Sequence, residues 1–182
     1  MSARPLVELE AGLAGVRDAP ADHGSLRLIV RRPGVGEREL LDTARLDAEQ
    51  GLVGDTWALR GSSRTGDGSA DPEAQVTLMN ARVAALLTGS DDGWSAAGDQ
   101  LYLDFDLALS NLPPGARLAV GNAVLEISAT PHTGCSKFSD RFGVDALRLV
   151  STPEGRLLRL RGLNARVVQP GAVRLGDTVR KV

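Results

Sequence analysis

The chain is poor in the residues that build metal centres and covalent cross-links. It has one cysteine, Cys135, and two histidines, His23 and His132, which lie far apart in the sequence. A single cysteine excludes an intrachain disulfide, and a structural zinc site needs several thiolates or a mixture of cysteine and histidine. The separation of the two histidines also argues against a multi-histidine metal centre.

Long apolar runs are absent as well. Acidic residues interrupt the N-terminal segment, so no signal peptide is predicted. No stretch approaches the roughly 20 consecutive apolar residues that span a bilayer. The net charge of −2 gives no general attraction to nucleic acid. We therefore expect a cytoplasmic protein that binds neither membranes nor nucleic acid.

Aromatic residues make up only 3% of the chain, so its core must be aliphatic. The length of 182 residues is within the range of one domain. The apolar and charged fractions, 42% and 24%, are ordinary for a globular protein. One folded domain with a Val, Leu and Ala core is the expectation.

Short strands are predicted where apolar and polar residues alternate. In Leu101–Leu109, every second residue from Leu101 is apolar and would share one face. Gly121-Asn122 predicts a hairpin turn between strands at 117–120 and 123–128. Further strands are predicted at 26–32, 37–46, 75–79, 156–160, 165–169, 173–175 and 178–182, and helices at 5–17, 81–88 and near 144–150. Many short strands and few helices indicate a small barrel or sandwich.

Positive charge is concentrated near the C-terminus. From Lys137 to Val182 there are ten basic and four acidic residues. Such an excess suits an anionic ligand such as a phosphate. Arginines that alternate outward along strands and are simply solvated would give the same pattern.

Cys135 lies in the polar segment Pro131-His132-Thr133-Gly134-Cys135. Gly134 allows a sharp turn that would expose the thiol. Lys137 and Arg141 follow closely, and cationic neighbours stabilise a thiolate, which can act as a nucleophile or as a ligand for a soft metal such as molybdenum. A free cysteine is also often a small buried hydrophobic residue, which leaves a structural role open.

Other polar clusters have two interpretations each. Asp55 in Gly54-Asp55-Thr56-Trp57 could orient a ligand or cap backbone amides in a turn, and Gly98-Asp99-Gln100 is ambiguous in the same way. The segment 161–166 places Arg161, Asn164 and Arg166 around a glycine, and guanidinium groups match phosphate geometry. Arginines that solvate a strand edge fit the same pattern.

A serine hydrolase is not supported. Ser136, His132 and Asp140 contain the residue types of a hydrolase triad, but they lie within nine residues of one another. No nucleophile-elbow pattern surrounds the serine. Cys135 is the stronger candidate for chemistry.

Taken in order, these segments resemble the MOSC domain, the module named for the C-terminus of molybdenum cofactor sulfurases. The matching pieces are Gly51-Leu52-Val53-Gly54-Asp55, Gln75–Met79, Leu112–Leu118 with Gly121, His132-Thr133-Gly134-Cys135, Arg161-Gly162, Val168–Gly171 and Gly176-Asp177. Many members have Asn-Leu where this chain has Gln100-Leu101. The resemblance covers roughly residues 26–182 and is specific mainly through the order of its parts.

The resemblance implies a mainly β fold with a few short helices. Residues 1–24 would form an N-terminal helix and connector, and residues 25–182 a closed β-barrel of the pyruvate-kinase barrel type. Cys135 would ligate the molybdenum of a molybdopterin cofactor or carry a persulfide. The residues expected to bind the cofactor are His132, Lys137, Arg161, Asn164, Arg166 and Asp55.

The resemblance leaves the activity open. The chain has no pyridoxal-phosphate desulfurase domain, so it should depend on a small-molecule pterin or a sulfur donor supplied to it. One alternative is a molybdenum-dependent reductase of N-hydroxylated compounds, which would need an electron-donor protein. The other is a non-enzymatic ligand-binding barrel in which Cys135 is structural.

Overall fold

The alternating segments form eleven short strands in the computed structural model, which describes residues 3–182. The strands are β1 (His23–Arg31), β2 (Glu39–Leu41), β3 (Thr43–Asp47), β4 (Gly51–Leu52), β5 (Val76–Asn80), β6 (Leu101–Asp104), β7 (Arg117–Val120), β8 (Ala123–Ile127), β9 (Leu163–Gln169), β10 (Gly171–Arg174) and β11 (Thr178–Lys181). The α-helices are α1 (Leu6–Ala11), α2 (Leu13–Arg17), α3 (Ala81–Thr88), α4 (Ser136–Phe142), α5 (Val144–Ser151) and α6 (Pro153–Leu157). Short 3₁₀ helices lie at Thr56–Leu59, Pro72–Ala74 and Trp94–Ala97.

Seven strands close into a barrel. Around the barrel the order is β1, β6, β5, β9, β8, β7 and β11, and β11 pairs back with β1. The β5–β6 pair is parallel, while the other barrel pairs are antiparallel. Closure removes the unpaired edges that an open sheet would leave. The structure thus confirms the mainly β fold with a closed barrel and a few short helices.

Two smaller sets of strands extend the barrel. β2 pairs with the far end of β1, and β10, β3 and β4 form a separate antiparallel sheet. The predicted single strand at 37–46 is therefore wrong in one respect. It divides at Asp42 into β2, which joins the barrel, and β3, which joins the small sheet.

The barrel interior is the aliphatic core that the composition predicts. Leu26, Leu78, Leu101, Leu103 and Leu125 are fully buried there. The outer face of β6 is covered rather than solvated, because Tyr102 lies beneath helices in a second apolar cluster. The Tyr102 hydroxyl donates a hydrogen bond to the Trp94 carbonyl at 2.7 Å. Both faces of β6 are therefore buried, which strict alternation does not indicate.

The strand predicted at Leu101–Leu109 is wrong beyond Asp104. Phe105 and Leu107 stay buried in the barrel core, but they are not in a strand. The Asp106 carboxylate accepts the Ala108 amide at 2.9 Å, and the Asp106 amide bonds to the Pro20 carbonyl. A side chain that bonds to the backbone two residues later makes a turn in place of a strand ladder.

The strand predicted at 156–160 is also wrong. Residues Pro153–Leu157 form α6, followed by a turn. Pro153 occupies the first turn, and the Thr152 hydroxyl caps the helix by accepting the Gly155 amide at 2.9 Å. A Thr-Pro start of this kind is a helix signal that the alternation of Arg and Leu concealed.

The other helices follow their sequence signals. Asn80 caps α3 through the Arg82 amide, and Gly89 ends it in a left-handed conformation, as predicted. The predicted helix at 5–17 divides at Gly12, where a Cβ would meet Leu86. None of the helices described in residues 3–182 has the length and apolarity needed to cross a membrane.

Candidate functional site

A buried carboxylate lies at the centre of the site. Asp99 is in the turn between the Trp94–Ala97 helix and β6, and its side chain is fully buried. One of its oxygens, Oδ2, accepts a hydrogen bond from Nη1 of Arg161 at 2.7 Å. The other, Oδ1, faces Nδ1 of His132 at 3.3 Å without hydrogen-bond geometry. We call Asp99, His132 and Arg161 the Asp99 cluster.

Arg161 is held on several sides. While Nη1 of Arg161 bonds to Asp99, Nη2 donates a hydrogen bond to the Ala97 carbonyl at 3.1 Å. The guanidinium carbon lies 5.1 Å from the ring centroid of Phe138 in α4, which is within the range of a cation–π contact. The Nε of Arg161 is buried without a partner. Arg161 therefore connects the turn before β6 to the helix that follows Cys135.

Gly162 makes this close arrangement possible. Its φ of +96° lies in the left-handed region that favours glycine. A Cβ at this position would collide with the Leu78 carbonyl oxygen and would stand 3.4 Å from both Asp99 Oδ1 and His132 Nδ1. The glycine after Arg161 is thus required by the packing of the Asp99 cluster.

His132 is neutral at neutral pH. Desolvation by burial lowers its pKa from 6.5 to about 4, and the positive charges of Arg161 and Arg32 act in the same direction, while Asp99 opposes them. The charge of Asp99 is already offset by Arg161. His132 also lines a cavity of about 710 Å³.

Cys135 is exposed at the start of α4. It is the N-cap residue of that helix, and its carbonyl accepts the amides of Phe138 and Ser139. The thiol makes no capping hydrogen bond. Cys135 is therefore not a buried core residue, which removes the packing explanation for its presence.

The cysteine loop, residues 131–135, is held in place by its neighbours. Asn164 donates from Nδ2 to the Thr130 carbonyl at 3.1 Å, just before the loop. A Cβ at Gly134 would lie 2.5 Å from Leu147 Cδ1 and 3.3 Å from Val150 Cγ2, so the loop backbone rests directly on α5. Asn164 thus positions the loop that carries Cys135.

A second charged group lies beside the first. The Arg32 side chain donates two hydrogen bonds to the Asp55 carboxylate, from Nε to Oδ2 at 2.8 Å and from Nη2 to Oδ1 at 2.9 Å. Asp55 also caps the Thr56–Leu59 helix through the Trp57 amide. Nη1 of Arg32 donates to the carbonyl of Gly98 at 3.2 Å. Asp55 therefore fulfils the turn role and is also the partner of a buried arginine.

Two more arginines converge over Gly98. A Cβ on Gly98 would lie 3.5 Å from Nη2 of Arg38 and 3.5 Å from Nη1 of Arg141. The two guanidinium nitrogens therefore lie close to the same point above Gly98. Neither side chain has a carboxylate partner among residues 3–182. We call the space bounded by Arg38, Arg141 and Gly98 the Gly98 cradle.

Positive charge is not balanced at the Gly98 cradle. The Nε of Arg38 is buried without a partner. The pKa of Arg38 is lowered by desolvation first, then by the neighbouring charges of Arg141 and Arg32. Desolvation and Arg32 lower the pKa of Arg60 in the same way, although Asp55 opposes them. Asp55 is within ion-pair distance of Arg32 and Arg60, but not of Arg38 or Arg141.

The structure brings together only some of the predicted cofactor-binding residues. His132 and Arg161 meet at Asp99, while Asp55 pairs with Arg32. Arg166 lies exposed on β9, outside the cavity, and binds Glu126, which lies opposite it on β8. Lys137 is exposed in the first turn of α4. A role of Arg166 in cofactor binding stays a prediction, and in the structure its charge is paired with Glu126 across the strands.

Sequence reasoning missed the most informative arginine. Arg38 lies in a turn before β2 with no motif around it, and it meets Arg141 only through the fold. Gly98-Asp99-Gln100 is an ambiguous polar cluster in the sequence, and Gly98 has a φ of +90°, in the left-handed region that favours glycine. The two residues contact different arginines. Gly98 forms the floor of the Gly98 cradle, and Asp99 accepts a hydrogen bond from Arg161.

Comparisons with known proteins agree with this fold. The family model of the MOSC domain matches residues 69–180. The chain therefore belongs to the MOSC domain family, a family associated with the molybdenum cofactor. A comparison with curated protein sequences finds no match.

Solved structures with a similar fold include three bacterial proteins. YuaD from Bacillus subtilis is 18% identical, with a TM-score of 0.58 over 86% of this chain and 94% of its own. YiiM from Escherichia coli is 18% identical, with a TM-score of 0.55 over 87% of this chain and 69% of its own. YiiM from Geobacillus stearothermophilus is 14% identical, with a TM-score of 0.55 over 87% and 73% of the two chains. Likeness at this level of identity concerns the fold.

Proposed function

We propose that this protein binds a molybdenum cofactor, with the Cys135 thiolate as the protein ligand of the metal. The observation that carries the proposal is the placement of α4. The exposed Cys135 is the N-cap of this helix, and its last turn carries Arg141, which forms one side of the Gly98 cradle. One short helix thus presents a soft sulfur ligand and one of the two arginines of the cradle.

The Gly98 cradle fits the phosphate of a pterin cofactor. Two guanidinium groups point at one small volume whose floor is a glycine without a side chain. Arg38 has a buried Nε that lacks a partner, which is the state expected of a donor whose acceptor belongs to a ligand. Guanidinium groups bind phosphate oxygens with charge-assisted hydrogen bonds. Arg38 and Arg141 therefore take the role that the sequence suggested for Arg161 and Arg166.

For molybdenum itself, the described residues offer one suitable sulfur ligand but no metal site built from protein side chains alone. Within residues 3–182, no three His, Cys, Asp or Glu side chains converge in a way that could hold a metal ion. When bound, the cofactor would supply a molybdenum centre that accepts soft thiolate ligands. Cys135 would provide the thiolate, and its backbone is fixed because its carbonyl accepts the amides of Phe138 and Ser139 in α4.

The Asp99 cluster positions both the helix that bears Cys135 and the turn that bears Gly98. Arg161 crosses from Asp99 to the ring of Phe138 in α4, so it fixes the helix that bears Cys135 relative to the turn that bears Gly98. His132 stays neutral and adds no charge near the thiol. These residues position the ligand-binding groups rather than contact the cofactor themselves.

The exposed thiol favours one alternative, a persulfide carrier. In that role the Cys135 thiolate attacks the outer sulfur of a donor persulfide, a new sulfur–sulfur bond forms on Cys135, and the donor leaves as a thiolate. Such a reaction needs a thiol that a donor can reach, and Cys135 is exposed. It does not need the Gly98 cradle, which is why we rank it second.

Cofactor loading tests the proposal. Wild type, Cys135→Ser and the control Ser136→Ala would be purified anaerobically from a host that makes the cofactor. Molybdenum would be measured by metal analysis and pterin by fluorescence after oxidation. We expect near-stoichiometric molybdenum and pterin in the wild type and in Ser136→Ala, and a large loss of molybdenum in Cys135→Ser.

Two results would contradict the proposal. Equal molybdenum in wild type and Cys135→Ser would show that the thiol is not a ligand. A wild-type protein empty of both metal and pterin would overturn cofactor binding. Mass spectrometry for an added sulfur on Cys135 would then test the carrier role.

A further inference from the structure

A large cavity lies beside the cysteine loop and is separate from the residues of the Gly98 cradle. Its volume is about 710 Å³, and it lies between residues 128–134 and residues 155–163, with Leu109 and Pro114 closing part of the wall. Pockets that hold small molecules are commonly about 300–1,000 Å³. Val150 and Leu163 add further apolar surface. The cavity is therefore large enough for a small organic molecule and partly apolar.

The charged groups on this wall are all basic. Arg156, Arg159 and Arg161 line the cavity, and no Asp or Glu is among its lining residues. Arg161 is neutralised by Asp99. Within residues 3–182, neither Arg156 nor Arg159 lies within ion-pair distance of a carboxylate. Two guanidinium charges thus remain without a counter-charge.

Arg159 is fixed in an unusual conformation. Its φ of +49° is the one positive value at a non-glycine residue among residues 3–182. Its Nη1 donates to the Leu112 carbonyl at 2.5 Å and makes a longer contact of 3.4 Å with the Leu107 carbonyl. Desolvation lowers the pKa of Arg159, and no carboxylate opposes that effect. Strained backbone of this kind is often found where a side chain is held for a function.

We propose that this cavity binds a small organic anion, with a carboxylate or phosphate group on a largely apolar body. Arg156 and Arg159 bind the anionic group, and the wall formed by Leu109, Pro114, Val150 and Leu163 covers the apolar body. His132 lines the same cavity, and Gly134 joins it to Cys135. The occupant thus lies next to the loop that carries the only thiol of the chain.

Binding to this cavity does not require a molybdenum cofactor. The test can use the full chain free of metal, so its outcome is independent of the proposed function. Benzoate and phenyl phosphate are suitable probes, with benzamide as the neutral analogue of benzoate. Isothermal titration calorimetry should detect at least one of the two anions, and benzamide should bind at least about tenfold more weakly, because a charge-assisted hydrogen bond is lost. The stronger of the two anions identifies the preferred head group.

Two variants locate the anion. Arg156→Gln and Arg159→Gly should each weaken binding of the preferred probe by about tenfold. Glycine is chosen at 159 because it tolerates the positive φ without strain. Arg27→Gln, which changes an exposed arginine of β1 outside the cavity, is the matched control and should bind like wild type.

Three outcomes would overturn the proposal. They are no binding of either anion, benzamide that binds as tightly as the preferred anion, and unchanged binding of that anion in Arg156→Gln. Thermal unfolding would verify that each variant is folded. If Arg159→Gly does not fold, Arg156→Gln and the benzamide comparison still decide the question.

Discussion

Gly98 and Asp99 are consecutive residues, yet the two charged groups that meet them are built differently. At Asp99, a buried carboxylate and the Arg161 guanidinium cancel each other. At Gly98, Arg38 and Arg141 meet without a carboxylate partner among residues 3–182, while the nearby Asp55 pairs with Arg32 and Arg60. A balanced buried pair is expected to maintain structure, whereas a surplus of one sign is expected to bind a ligand of the other sign.

The largest effect is expected at the balanced pair. Asp99→Asn would leave the buried Arg161 without its counter-charge, and breaking a buried ion pair from one side typically costs about 3–5 kcal/mol of unfolding free energy. Urea denaturation would measure the loss. Glu8→Gln is the control, because its pair with Arg4 is exposed and should contribute less than about 1 kcal/mol. Equal effects of the two variants would show that the Asp99 pair is not structural.

His132 should make stability depend on pH. Its folded pKa of about 4 lies below the ordinary 6.5, so the unfolded chain binds more protons between these values. The free energy of unfolding should therefore rise with pH through this window. The full contribution, on the order of 3 kcal/mol, is present above pH 6.5 and is lost as the pH falls towards 4.

Urea unfolding between pH 4 and 7 would measure this effect. His132→Gln should flatten the pH dependence, while His23→Gln, which changes an exposed histidine, should keep it. An unchanged slope in His132→Gln would mean that the buried histidine is not the titrating group.

Removing the two arginines of the Gly98 cradle should change anion binding but have little effect on stability. Replacing Arg38 and Arg141 together by Gln removes like-charge repulsion but also the bond from Arg141 Nη1 to the Ala96 carbonyl. The unfolding free energy should change by no more than about 1 kcal/mol. Inorganic phosphate should raise the melting temperature of the wild type and not that of the double variant. An equal rise in both proteins would place the anion elsewhere.

The smallest effect is expected on the outside of the barrel. Arg166 and Glu126 form an exposed cross-strand pair, and Arg166→Gln should cost less than about 1 kcal/mol. Because the charge of the exposed Arg166 is paired with Glu126, molybdenum and pterin content should equal that of the wild type. A clear loss of molybdenum or pterin in Arg166→Gln would show that Arg166 takes part in cofactor binding.

Much of the barrel could be predicted because its signals are local. Alternation located most of the strands, and Gly121-Asn122 identified the two-residue hairpin between β7 and β8. Residues 105–109 and 156–160 were assigned wrongly, since a side-chain turn at Asp106 and a Thr152 helix cap override the alternation. In both segments a single polar side chain decides the backbone conformation.

The site was less predictable because its contacts join distant parts of the chain. The sequence identified His132, Arg161 and Cys135 as residues of interest, and the fold places the first two on Asp99. No local pattern indicates that Arg38 meets Arg141, or that Arg166 is already paired across β8 and β9. The charges in the sequence could not show which arginines have a carboxylate partner in the fold and which do not.

Ligation of molybdenum by Cys135 is the central claim, and X-ray absorption at the molybdenum edge tests it most directly. Wild type and Cys135→Ser would each be saturated with cofactor and compared. We expect molybdenum to have one more sulfur neighbour in the wild type than in Cys135→Ser, where a light atom would take its place. Identical sulfur shells in the two proteins would contradict it.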